Sequence, residues 1–217
     1  METRAEQAAA RLRRPGGPWS CVERDAVNWT LEHERGDRLV LVRGRQVATA
    51  EDLEVLVVGT ADPIEDGRPF AEIIEQWIDR EVQVIVPWGF GKWTGSRASL
   101  VSDAFERYAA AGLRLGDTGL RARWLRPPRI FRRSALAGYP ILVGSDPFPF
   151  PDRGDVAGSH GFRLRGVPPE AGWADMLRLL RNAGGELTRF GRPLGAITFV
   201  RLQARMQMKK RFGDRRA

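Results

Sequence analysis

The chain is poor in the residues that build covalent staples and metal centres: one cysteine, Cys21, and two histidines, His33 and His160, in 217 residues. A single cysteine excludes an internal disulfide and a cysteine-based zinc site. Two histidines cannot make a histidine-rich metal centre, the less so because His33 falls on an apolar side where packing explains it. Lysine is also scarce. Only Lys92, Lys209 and Lys210 are lysines among 35 basic residues, so the positive charge rides on arginine. Arginine's planar fork suits bidentate capture of phosphate or carboxylate. No apolar run reaches the roughly 18 residues that a membrane span needs. The opening Met-Glu-Thr-Arg-Ala-Glu-Gln carries early acid and no apolar core, unlike a secretory signal. No membrane partner is expected, and the location is read as cytoplasmic.

What is present is ordinary for a globular protein, with 42% hydrophobic and 29% charged residues. The length fits one domain with a sizeable core. Residues 1–18 are Ala, Arg, Gly and Pro and are expected to fray, leaving 19–217 as a single domain. The net charge is +8, of which the tail from Arg201 to Ala217 supplies +6 through seven basic residues and Asp214. The remainder is nearly neutral in sum. Nucleic acid contacting 201–216 is therefore one expected partner, and a solvated basic helix end is the bland alternative.

Periodicity places helices over 21–35 (Val22, Ala26, Trp29 and His33 on one side), 69–80, 96–111, 128–137, 169–182 and 196–212. Strands are expected at 38–43, 53–59, 82–87, 113–116, 141–143 and 161–165. Residues 44–52 read as a turn or bulge. Alternating strands and helices at this spacing predict an α/β fold, an incomplete or distorted (β/α) barrel with mainly parallel strands.

Three apolar runs end in polar, glycine-rich loops, the place where α/β folds keep ligand sites. The first loop, Pro87-Trp88-Gly89-Phe90-Gly91-Lys92-Trp93, offers backbone N–H groups, a lysine and aromatic walls. Its alternative is a hydrophobic cap with Lys92 reaching water. In the second, Asp117 with Arg121 is either a structural ion pair or a hydroxyl- or water-orienting acid beside an anion-binding arginine. The third, Gly144-Ser145-Asp146-Pro147-Phe148-Pro149-Phe150, places Asp146 at a strand end as the best acid candidate. Asp152 and Asp155 read as solvated loop acids. His160 is the histidine set in a polar, glycine-rich context. The candidate catalytic residues are thus Asp117 and Asp146; the candidate ligand-binding residues are Trp88, Lys92, Trp93, Arg121, Ser145 and His160.

The order of segments from about Arg38 to Val143 and the loop beyond resembles the polymerase and histidinol phosphatase (PHP) family. Gly44-Arg45-Gln46-Val47 with Leu53-Glu54-Val55-Leu56 resembles the family's Gly-x-Glu strand and its successor. Gly144-Ser145-Asp146-Pro147-Phe148 resembles its Gly-Ser-Asp-x-His motif. The resemblance implies a distorted seven-stranded barrel and phosphoester hydrolysis on two or three metal ions. The ligand positions depart from it: Gln46 stands for the family's Glu, Pro87 or Trp88 for a His, and Phe148 for the last His. Only Asp146 matches. The metal site the family would use is therefore degenerate, leaving either no metal or one Mg²⁺ or Mn²⁺ on Asp146 with Asp117. Three functions follow: a strand-end pocket for a small anionic or phosphorylated ligand, with residual phosphoester hydrolysis if it is active; a nucleic-acid-associated protein; or a non-catalytic interaction module.

Overall fold

The structure is a computed structural model that describes residues 18–119, 121–146, 156–168, 170–182, 187–191 and 195–213, with the backbone alone over 209–213. The expectations for residues 1–17, for Asp152 and Asp155 and for the chain beyond 213 lie outside it. The described residues divide into two compact units. One comprises the residues up to Ile85 with Ala110–Leu113 and Val167–Arg181; the other comprises Val86–Ala109, Arg114–Gly166 and the residues from Asn182 on.

The first unit opens with an antiparallel meander of β1 (Trp19–Arg24), β2 (Asn28–His33) and β3 (Arg38–Val42). The helix expected over 21–35 is therefore corrected to a hairpin. The reason is local: the Asp25 Oδ1 accepts the Val27 and Asn28 backbone N–H groups at 2.6 and 2.5 Å, an Asx turn that reverses the chain. Helix-like spacing of Val22, Ala26, Trp29 and His33 cannot outweigh that reversal. β4 (Gly44–Ala48) and β5 (Glu54–Val58) form a second hairpin, so the turn expected over 44–52 is confined to its last residues. There the Thr49 hydroxyl accepts the Leu53 N–H at 3.2 Å and Asp52 takes φ 60°. Asp66 holds β4 in place by accepting the Ala48 N–H at 2.9 Å.

Helix α1 (Phe70–Trp77) buries Phe70, Ile73, Ile74 and Trp77, the face its spacing predicts. Strand β6 (Gln83–Pro87) pairs with β5 antiparallel. Helix α4 (Trp173–Asn182) sends the Trp173 Nε1–H to the Glu81 carbonyl at 3.0 Å. Gly59, at φ 103°, makes room: a Cβ there would lie 2.1 Å from Trp173 Nε1.

The second unit contains α2 (Ser96–Tyr108), β7 (Arg114–Thr118), α3 (Arg129–Leu136) and β8 (Leu142–Gly144). It also holds β9 (Gly161–Arg163), β10 (Thr188–Phe190) and α5 (Ala196–Gly213). Strands β7 and β8 are parallel, as a crossover through α3 permits. Strands β9 and β10 are antiparallel, and β10 is only three residues long, too short to show a period in the sequence. On α2 the buried residues are Val101, Ala104 and Phe105. Five of five residues of β7 are buried, including Asp117.

The pairs β4/β5 and β5/β6 are antiparallel, and the pair β7/β8 is parallel. The mainly parallel (β/α) barrel is thereby corrected to mixed α/β with antiparallel sheets, and among the described residues no barrel closes. Apolar runs report burial, not direction. The five residues between β4 and β5 can only return the chain antiparallel, whereas a parallel return takes a dozen or more.

Candidate anion-binding site

β7 and β8 run side by side and their last residues present polar groups at the same end: Asp117 pairs with Val143 and Thr118 with Gly144. The chain then continues Gly119 N–H to Gly144 carbonyl at 2.8 Å, which keeps the two strand-end loops together. Asp117 is anchored hard. Its Oδ1 accepts the Arg121 Nε–H at 2.9 Å and the Thr118 backbone N–H at 2.9 Å, and its Oδ2 accepts Arg121 Nη2–H at 2.8 Å. This is a fork-to-fork pair between side chains only 3% and 13% exposed. The Arg121 Nη1–H also reaches the Leu125 carbonyl at 2.7 Å, pinning the following loop. Hydrogen bonding to Asp117 holds the Arg121 guanidinium more firmly charged than usual, against the opposing effect of burial.

A second guanidinium comes from β10. Arg189 Nη1 stands 3.7 Å from Asp117 Oδ2, while its side chain is 46% exposed. That distance is an ion pair but too long for a hydrogen bond. The β9/β10 ladder sets this placement by pairing Arg189 with Phe162 and Phe190 with Gly161. The Phe190 ring lies over Gly161, where a Cβ would sit 2.9 Å from it.

His160 directly precedes β9 and is packed between glycines. A Cβ on Gly119 would come 3.0 Å from the His160 Cβ, and one on Gly191, at φ 87°, would lie 2.7 Å from both His160 Cα and Nδ1. Its buried Nδ1 has no hydrogen-bond partner among the described residues. Burial lowers the His160 pKa; Asp117 opposes that effect, and Arg189 and Arg121 reinforce it. A neutral ring with its proton on Nε2 leaves only a bare acceptor buried at Nδ1. Any protonated Nδ1 would bury an unpaired donor, so Nε2 is the donor this packing favours.

Asp146, exposed, takes φ 41° and accepts the Thr118 hydroxyl on Oδ2 at 3.1 Å. A left-handed backbone is tolerated by Asp but is costly enough to mark the position. The Ser145 hydroxyl accepts the Gly158 N–H at 3.1 Å, tying the third loop to the segment before His160.

The structure therefore gathers Asp117, Arg121, Ser145, Asp146 and His160 into one neighbourhood. It gives the first loop a different part. The Lys92 stem folds over Gly89, where a Cβ would meet its Cδ at 2.9 Å. The Trp93 ring stands edge-on to Phe131 at 5.7 Å, a packing role. Trp88 is half-buried, with its backbone N–H on the Gly116 carbonyl at 2.8 Å. Arg189 and Thr118 are the residues that sequence reasoning missed. The one available signal for Arg189 was an arginine beside an aromatic between two glycine-bearing stretches, too common to single out.

The metal implied by the family resemblance finds a poor donor set. Among the described residues no group of three or more His, Cys, Asp or Glu side chains is placed to hold an ion. Asp117 already carries Arg121 on both oxygens, and two guanidiniums beside it repel a dication. The basic end of α5 lies mostly outside the described side chains; of its cations Arg201 and Arg205 are exposed, while Phe199 and Leu202 are buried. No helix among the described residues is long and apolar enough to cross a membrane. No family model, curated protein or solved structure matches this chain.

Proposed function

We propose that the second unit binds a small anionic ligand, a phosphate ester or a carboxylate, at the carboxyl ends of β7 and β8. One observation carries the reading. Arg189 is a half-exposed guanidinium held 3.7 Å from a carboxylate whose two oxygens Arg121 already occupies, and it donates no hydrogen bond to a described residue. Its donors remain available to an incoming anion, and Asp117 fixes its position without consuming them. The neutral His160 supplies a second donor through Nε2, and burial makes its hydrogen bonds stronger than they would be in water. Asp146, on the same strand ends, would face a hydroxyl or a water of the ligand rather than its charged group. Asp117 acts here as the anchor of the arginines.

Calorimetric titration with inorganic phosphate and with glycerol phosphate tests the reading. The expected outcome is binding to the unaltered protein that weakens about tenfold or more in Arg189→Ala, the loss of a charge-assisted hydrogen bond. Binding unchanged in that variant, or no binding at millimolar ligand, overturns it.

A further inference from the structure

No acid occurs between Asp117 and Asp146, yet that stretch holds Arg121, Arg123, Arg126, Arg129, Arg132 and Arg133. Two of the six are neutralised: Arg121 by Asp117, and Arg133 by Glu106. The other four are exposed and have no ion-pair partner among the described residues. These four positive charges fall within ten residues of sequence that contain no acid. Nothing in the packing of α3 requires them, since its buried residues are Phe131 and Ser134.

Trp124 sits between Arg123 and Arg126 and is 58% exposed; Phe90 is 55% exposed. Both rings stand nearly perpendicular to the buried Phe199 of α5, at 6.2 and 5.4 Å. Phe199 thus steadies two large aromatic rings that still face water. The loop bearing Trp124 is itself fixed by the Arg121 Nη1–H to Leu125 carbonyl bond and by the turn from the Leu125 N–H to the Ala122 carbonyl at 2.9 Å. Pro127 and Pro128 limit the backbone between Arg126 and Arg129.

We infer that this face, Trp124 and Phe90 with Arg123, Arg126, Arg129 and Arg132, binds single-stranded nucleic acid. Exposed rings on a rigid mount are stacking platforms for unpaired bases, and unpaired guanidiniums beside them take the phosphates. A duplex hides its base faces and would leave Trp124 without a partner. The surface shares no residue with the Asp117 cluster, although Arg121 pins the loop that bears Trp124, and the inference goes beyond the anion-binding reading.

Fluorescence anisotropy of a labelled 15-nucleotide single strand over a salt series tests it. Binding should weaken steeply with salt, at about 0.7 logarithmic units per phosphate contact. Trp124→Ala should cost about tenfold while Trp124→Phe retains most affinity. Arg123→Ala with Arg126→Ala should weaken binding and flatten the salt slope by about two contacts. Arg189→Ala should leave the strand bound, and inorganic phosphate should not displace it selectively, which separates this surface from the anion site. Circular dichroism of each variant confirms that the fold is kept. The inference is overturned by equal affinity for duplex and single strand with no dependence on Trp124. Binding only to phosphatidylserine vesicles, or no binding at low salt, overturns it as well.

Discussion

Arg121 and Arg123 stand two residues apart and live under opposite conditions. Arg121 is folded onto a buried carboxylate and a backbone carbonyl, whereas Arg123 projects into water with no counter-charge among the described residues. The same contrast separates the Asp117 cluster from the stretch around Trp124. In the cluster, Asp117 and the arginines Arg121 and Arg189 constrain one another, and Asp146 is held by the Thr118 hydroxyl. On the arginine-rich face, charge is left unmatched, and only the aromatic rings are mounted firmly. Arginine as a residue type thus says little until its acceptors are known. A paired, buried arginine is part of the architecture, and an unpaired exposed one is available to a partner.

That contrast can be broken most severely at Asp117. Replacing it with Asn removes the charge that holds Arg121, only 13% exposed, and should cost about 3–5 kcal/mol, read from denaturant midpoints. Adding Arg121→Met to the Asp117→Asn background should recover part of the loss, because the stranded charge goes too. A cost below about 1 kcal/mol, the range of exposed pairs, would show that the buried pair behaves like a surface one.

His160 sharpens the comparison with a smaller effect. Its folded-state pKa is lowered, chiefly by burial, so the unfolded chain binds the proton more readily. Its contribution to stability is therefore complete above the unfolded value of about 6.5 and is lost as pH falls through the lower folded value. The difference in stability between the unaltered protein and His160→Gln should shrink or reverse as pH falls through this range. A difference that stays constant with pH would remove the buried neutral imidazole from the account.

The smallest effect belongs to the exposed arginines. Arg123→Ala should change stability by less than about 0.5 kcal/mol in either direction while weakening single-strand binding. A large destabilisation would mean that Arg123 is held by the fold after all.

Much of the fold can be read from pattern. The apolar face of α1, with Phe70, Ile73, Ile74 and Trp77 at helical spacing, and the β-branched runs of β5 and β6 are buried where periodicity puts them. The strand ends carrying Asp117 and Asp146 were also legible, since glycine-rich polar loops follow both runs. The 21–35 hairpin was not, because one Asx turn at Asp25 overrides a plausible helical period. The acid-free stretch from Thr118 to Ser145 is visible in the sequence, yet a net charge taken over most of the chain averages it away.

The sequence by itself determined which segments are apolar enough to be buried, where arginine is concentrated and where strands give way to polar loops, because these depend on composition and period alone. Tertiary structure decided strand direction, the arrival of Arg189 from a three-residue strand some 70 residues after Asp117, and which arginines find an acid. Those outcomes depend on pairing between distant parts of the chain, and a single carboxylate satisfied by Arg121 leaves Arg123 without one.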